Sequence, residues 1–188
     1  MSNTKGLILI VDDTEQNLEV LGNLLSENNY DLAIATNGIE AIESINTTIP
    51  DLVLLDVMMP EIDGFETCKR IKQQERTKDL PIIFLTAKVE TEDIIKGFHV
   101  GGIDYITKPF RKEELLARVD THVRLRKTQK ALKESEAKLR NLVANSEDGI
   151  ILISEEGKIR EWNPRMEKFT GLFELEVKNN FFWEIYSK

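Results

Sequence analysis

Five short apolar runs, Leu7–Val11, Leu32–Ala35, Leu52–Leu55, Ile82–Leu85 and Ile103–Ile106, alternate with amphipathic stretches near residues 15–27, 38–46, 64–75, 91–99 and 111–124. Each run is too short for a helix and rich in Ile, Leu and Val, the composition of strands buried on both faces. Between them Leu18, Leu21 and Leu25, and again Ile94, Ile95 and Phe98, recur at helical spacing. Five such βα units predict an α/β fold, a five-stranded parallel sheet doubly wound with helices on both faces, because right-handed crossovers allow little else. Ligands of these sheets lie at the carboxyl ends of the strands, so the chemistry is expected there.

The helical pattern that opens near Glu113 continues past the length one domain needs. Leu115, Leu116, Val119 and Val123 are expected to face the sheet. Beyond them the stripe changes phase: Leu125, Leu132 and Leu139 stand seven apart, each followed three residues on by Thr128, Ser135 and Leu142 respectively. A 3.5-residue period predicts a two-stranded coiled-coil seam with two polar core positions; the plainer reading is a solvated charged helix. At ~1.5 Å per residue, Glu113 to Ser146 would span about 50 Å. Next come Gly149–Ile153 and Ile159–Trp162 around Gly157, which predict a hairpin. Asn163-Pro164 then suits a helix N-cap followed by the first helical residue. Two strands and two short helices cannot close a core around Phe181, Phe182 and Trp183, so this last part is expected to be a partial domain.

Composition narrows the class. The 188 residues carry net charge −8, which argues against a general nucleic-acid binder. No apolar run approaches the ~20 residues of a membrane span, and no signal-peptide pattern opens the chain, so a soluble cytoplasmic protein is expected. The single cysteine, Cys68, precludes an internal disulfide, and two histidines, His99 and His122, leave little for a metal cluster. Residues 1–124 hold 13 basic against 22 acidic residues, whereas 125–140 hold six against two. That shift marks a boundary.

The strand ends carry the candidate chemistry. The first run stops at Asp12-Asp13, the third at Asp56, the fourth at Thr86 and the fifth at Lys108-Pro109. Runs one, three, four and five are neighbours in a sheet of this kind, so the groups converge. Close carboxylate pairs repel by about 4 kcal/mol at an effective dielectric near 20. A hard divalent cation such as Mg²⁺, which takes oxygen ligands and keeps several waters, removes that repulsion. The Thr86 hydroxyl and Lys108 ammonium are the donors that phosphoryl oxygens accept. Together these groups point to phosphoryl transfer with one Asp as nucleophile.

Residues 5–124 resemble a response-regulator receiver domain of two-component signalling, a flavodoxin-like fold. The matching motifs are Ile-Val-Asp12-Asp13, Leu-Leu-Asp56-Val-Met-Met-Pro60-Glu-Ile-Asp-Gly64, Leu-Thr86-Ala87-Lys and Asp104-Tyr105-Ile-Thr-Lys108-Pro109-Phe110. The resemblance implies that Asp56 accepts the phosphoryl group. It implies a Mg²⁺ site made by Asp13, Asp56 and the backbone carbonyl of Met58, with Asp12 acting through water. By the same resemblance Lys108 pairs with phosphoryl oxygens, Thr86 bonds one of them, Tyr105 turns inward in response, and the Lys108-Pro109 bond is cis. The implied donor is a histidine kinase or phosphotransfer protein, and the domain would catalyse only its own phosphorylation and dephosphorylation.

Residues 136–186 resemble the first half of a PAS domain, through Glu136-Ala-Lys-Leu-Arg-Asn-Leu142, Asp148-Gly149-Ile-Ile, Gly157-Lys-Ile and Asn163-Pro…Phe169-Thr-Gly171. The expected organisation is therefore a receiver at 5–124, a helical coiled-coil linker at 125–145 and a truncated PAS-like α+β segment at 146–188. That order resembles the front of a sensor kinase or second-messenger enzyme. A homodimer through the 111–142 helix is expected, with no direct contact to membrane or nucleic acid. Two rivals fit worse. A haloacid dehalogenase phosphatase places its two aspartates two apart, whereas Asp12 and Asp13 are adjacent. A flavodoxin-like FMN carrier needs a phosphate loop after the first strand, and the acidic strand ends repel FMN phosphate. A phosphorylation-independent docking or dimerisation module is the remaining alternative.

Overall fold

The computed structural model describes residues 4–87 and 91–185. Lys88, the last residue of the Leu-Thr-Ala-Lys motif, lies outside the described residues, as do residues 186–188. The elements follow in the order β1 (Leu7–Val11), α1 (Glu15–Ser26), β2 (Asp31–Ala35), α2 (Gly38–Thr47), β3 (Leu52–Asp56), α3 (Gly64–Gln73), β4 (Ile82–Thr86), α4 (Thr91–His99), β5 (Asp104–Thr107), α5 (Lys112–Ala144), β6 (Ile151–Ile153), β7 (Ile159–Trp162), α6 (Pro164–Thr170), α7 (Glu174–Val177) and α8 (Phe182–Ile185). The chain divides into two compact units, meeting in sequence at Gln129 and Lys130, and α5 runs through both.

In the first unit β1–β5 form a parallel sheet of order β2-β1-β3-β4-β5. β1, β3 and β4 are buried almost throughout, as apolar runs covered on both faces must be. One face packs Leu18, Leu21 and Leu25 of α1 and Leu115, Val119 and Val123 of α5 on Ile8, Ile10, Leu52 and Leu54. The other packs Ala41, Ile45, Phe65, Cys68 and Ile71 on Leu9, Val53, Leu55 and Ile82. α4 departs from the expected apolar stripe. Ile95 and Phe98 are half exposed, and the buried residue of the helix is Gly97, against which the Phe84 ring lies. A glycine at that point lets the helix approach the ring, leaving its larger apolar residues outward.

The second unit is a small antiparallel pair, β6 and β7, with three short helices, one more than the sequence pattern suggests. Gly157 takes φ +86 in the hairpin turn, a conformation that favours glycine. Ile159, Trp162, Met166 and Val177 make its core. Asn163 caps α6 by accepting from the Met166 amide, with Pro164 as first helical residue. Its amide also donates to the carbonyls of Val143 and Asp148, and its oxygen accepts from Ile150. One buried side chain thus ties the end of α5, the approach to β6 and the start of α6. Among the described residues no helix is long and apolar enough to cross a membrane.

Candidate functional site

Parallel register aligns the strand ends. Val11 pairs with Leu55, Asp56 with Leu85 and Thr86 with Thr107, so the residues at and just beyond these positions share one edge of the sheet. Asp12, Asp13 and Asp56 each bring a carboxylate oxygen to within 4.8 Å of the others. Asp12 and Asp56 are buried and Asp13 is exposed, so the cluster opens to solvent on one side. Oxygen donors of this kind suit Mg²⁺, and among the described residues three carboxylates stand against one ammonium, which leaves negative charge for a cation to neutralise. The residues therefore fit the ion that the sequence implies.

The ammonium is that of Lys108, which reaches Asp12 Oδ2 at 2.7 Å and Asp56 Oδ2 at 3.0 Å. Burial works against its charge, yet the hydrogen bonds to Asp12 and Asp56 hold the Lys108 pKa above its ordinary value. Burial pushes the Asp56 carboxyl upward; Lys108 pulls it back, the Asp12 charge raises it further and the Met58 amide lowers it, with a net rise. Lys108 follows β5 through a hydrogen bond from its amide to the Thr86 carbonyl, at 2.8 Å. The Lys108-Pro109 peptide is cis.

A glycine and a helix cap shape the surroundings. Gly64, at the start of α3, lies so close to β3 that a Cβ there would meet the Asp56 carbonyl oxygen at 2.2 Å. Asp63 caps α3 by accepting from the Glu66 amide. Thr86 is nearly buried, and with Tyr105, Phe84 and Phe98 it lines a cavity of about 20 Å³. That volume holds about one water. The Tyr105 ring is half-buried, with the Arg118 guanidinium 5.9 Å from its centroid. Arg118 is held in turn by Asp104 at 2.6 Å and Glu114 at 3.0 Å.

Asp12, Asp13, Asp56 and Lys108 thus converge, while Thr86 and Tyr105 stand together beside a separate small cavity. The Met58 side chain is exposed. Of the histidines, His99 is exposed, and His122 lies 3.1 Å from Asp104 Oδ2, away from the acidic cluster. The sequence pattern did not single out Asn17, whose amide donates to Asp12 Oδ1 at 2.9 Å and Oδ2 at 3.1 Å. Its only signal is a polar residue in the first turn of α1, five positions after Asp12.

Comparison with known proteins agrees with this geometry. The response regulator receiver domain family matches residues 8–120. The chain belongs to that family. The PAS domain family matches residues 137–186, after the long helix. The alkaline phosphatase synthesis transcriptional regulatory protein PhoP of Bacillus subtilis is 43% identical over 131 residues, covering 70% of this chain and 53% of that protein. The chain spans about half the length of the curated relatives it matches. Among solved structures, the receiver domain of a signal transduction histidine kinase from Syntrophus aciditrophicus is 36% identical with TM-score 0.59, over 63% of this chain and 89% of that one. A two-component response regulator from Clostridium difficile is 32% identical with the same TM-score, over 63% and 95%. The receiver of this chain thus carries the acidic pocket expected of a phosphoacceptor.

Proposed function

We propose that this receiver takes a phosphoryl group from a histidine kinase or phosphotransfer protein onto Asp56 and passes the change to α5 and the PAS segment. The observation that carries the reading is the convergence of Asp12, Asp13 and Asp56 with Lys108 at the carboxyl edge of the sheet. Asp12, Asp13, Asp56 and the Met58 carbonyl would hold Mg²⁺, which when bound neutralises the oxygens around the transferring group. Asp56 is the nucleophile. One of its carboxylate oxygens forms a bond to phosphorus as the phosphorus–nitrogen bond of the donor phosphohistidine breaks, and the electron pair leaves on the imidazole. Lys108 favours the ionised form of Asp56 beforehand and then pairs with the phosphoryl oxygens, where its charge is worth more as negative charge gathers. Thr86 supplies a hydroxyl to the same group, and Tyr105 moves into space that Thr86 vacates. Water attack on the acyl phosphate restores Asp56.

The added charge, about −1.5 to −2 for common phosphoresidues, biases the β5–α5 region between two arrangements. Leu125, Thr128, Leu132, Ser135, Leu139 and Leu142 serve as the seam of a parallel homodimer that carries the bias onward. The receiver at 5–124, the linker at 125–145 and the PAS-like part at 146–188 are the working divisions, in a chain that acts in the cytoplasm. The test is incubation of the full chain with Mg²⁺ and acetyl phosphate. It should gain about one phosphate, stable in acid and lost in mild base, and Asp56→Asn should gain none. Labelling that survives in Asp56→Asn would sink the assignment.

A further inference from the structure

We infer that Asn17 is a positioning residue of the phosphoryl-transfer site: its amide shares Asp12 with Lys108, so that the ammonium can be released to the incoming phosphoryl group. This rests on the phosphoacceptor reading above.

The Asp12 carboxylate is 0% exposed and is met from three directions. Oδ1 accepts from the Thr14 amide at 2.9 Å and from Asn17 Nδ2 at 2.9 Å. Oδ2 accepts from Asn17 Nδ2 at 3.1 Å and from Lys108 Nζ at 2.7 Å. An ionised carboxylate only accepts, so the amide nitrogen of Asn17 must face it; the flipped amide would set oxygen against oxygen. Asn17 sits in the first turn of α1, where its own amide bonds the Thr14 carbonyl, and that turn fixes the side chain beneath Asp12.

The arrangement matters because Lys108 has two anionic partners at rest, Asp12 and Asp56, and on phosphorylation the phosphoryl oxygens take the place of the Asp56 carboxylate. A buried carboxylate whose only strong donor was Lys108 would hold that ammonium, since a buried anion left without donors is costly. Asn17 and the Thr14 amide supply neutral donors that stay in place when Lys108 moves. Removing the amide makes Asp12 a stronger competitor for the ammonium. Mg²⁺ is not disfavoured by the same change, because the carboxylate keeps its charge and loses a neutral donor. Transfer and metal affinity should therefore part company, which general disordering of the pocket would not allow.

The experiment uses the full chain with acetyl phosphate at saturating Mg²⁺, and measures Mg²⁺ affinity separately from backbone amide NMR shifts at Asp13 and Asp56. Asn17→Ala should take up phosphate about tenfold more slowly, with Mg²⁺ affinity unchanged or up to several-fold tighter. Asn17→Asp, of the same shape without amide hydrogens, should be slowed at least as much and bind Mg²⁺ more tightly. Asn17→Gln, which keeps the donors on a longer stem, should recover most of the wild-type rate. Wild-type rates in Asn17→Ala and Asn17→Asp would overturn the inference. So would a fall in Mg²⁺ affinity that tracks the fall in rate. In each of these results wild type labels and Asp56→Asn does not, so the phosphoacceptor reading stands. An unlabelled wild type would overturn that reading, and this inference with it.

Discussion

At the residue scale, Lys108 is, among the described residues, the one ammonium facing Asp12 and Asp56, and these are two of the three carboxylates that suit a divalent cation. Lysine and metal therefore compete for one charge, and each can substitute for the other. Lys108→Ala leaves two buried carboxylates without their cation, a change that typically costs about 3–5 kcal/mol. We expect the metal-free variant to melt well below wild type and to recover most of the loss in millimolar Mg²⁺, because binding to the folded state alone adds stability by mass action. Its Mg²⁺ affinity should rise by about 1 kcal/mol, roughly fivefold. Thermal melts with and without Mg²⁺ check this; equal losses in both conditions would mean that the ammonium and the metal do not share those oxygens.

Cys68 supplies a second test at the same scale. It is fully buried in α3, with Sγ 3.5 Å from the Val100 carbonyl. Burial pushes its thiol up to about 11 from an ordinary 9.0, with Lys72 pulling partly back. A folded pKa above the unfolded one adds stability that is whole below the unfolded value and lost as pH climbs toward the folded value. The window here is therefore about pH 9 to 11, and the full effect about 2–3 kcal/mol. Urea unfolding at pH 8 and pH 10.5 should show wild type losing about 2 kcal/mol more than Cys68→Ala. Parallel losses in the two proteins would mean that the thiol does not gain its proton on folding.

At the scale of elements, periodicity made the sheet legible because β1, β3 and β4 are buried almost throughout and so stay apolar up to their ends, while the edge strands β2 and β5 are only partly buried. The strand ends were legible for the opposite reason: Asp12, Asp13, Asp56 and Lys108 interrupt apolar runs where only function tolerates charge. Two features were not. α4 hides its packing in Gly97, and a glycine leaves no apolar signal in a stripe that includes Ile95 and Phe98. Asn17 is one polar residue among several in an exposed first turn, and only the fold brings it under Asp12. α5 shows what periodicity can do when its phase is followed. Leu115, Val119 and Val123 are buried, whereas Leu125, Leu132, Leu139 and Leu142 are 51, 59, 60 and 62% exposed. Leu115→Ala should therefore cost about 2–5 kcal/mol of receiver stability. Leu132→Ala, made to an exposed side chain, should stay within about 0.5 kcal/mol in the isolated chain. Chemical denaturation at concentrations low enough to keep the protein monomeric separates the two. A large loss for Leu132→Ala would place that side chain against this chain's own body.

At the scale of the whole molecule, the proposed phosphoryl charge on Asp56 would have to reach residues beyond Gln129. The link is covalent and short: Pro109, Phe110 and Arg111 alone separate Lys108 from the first residue of α5. A second tie joins Asp104 of β5 to Arg118 of α5 at 2.6 Å, beside the Tyr105 ring. Any shift of Lys108 or Tyr105 therefore bears on the start of a helix that continues unbroken to Ala144, where Asn163 takes the Val143 carbonyl. A continuous helix relays such a shift only if something at its far part has two arrangements to choose between. The exposed leucines, interrupted by Thr128 and Ser135, would offer that choice if two chains pair along them as proposed. In a Cys68→Ser background, single cysteines at positions 125, 128, 132 and 135 should cross-link between chains more readily than cysteines at 127 and 130, which lie off the seam. Acetyl phosphate should change the ratio among the four seam positions, and adding Asp56→Asn should abolish the change while leaving the basal pattern. Uniformly low cross-linking with a monomer mass in solution would retire the seam and leave α5 a solvated strut. A seam pattern indifferent to the phosphodonor would keep the dimer and remove its part in signalling.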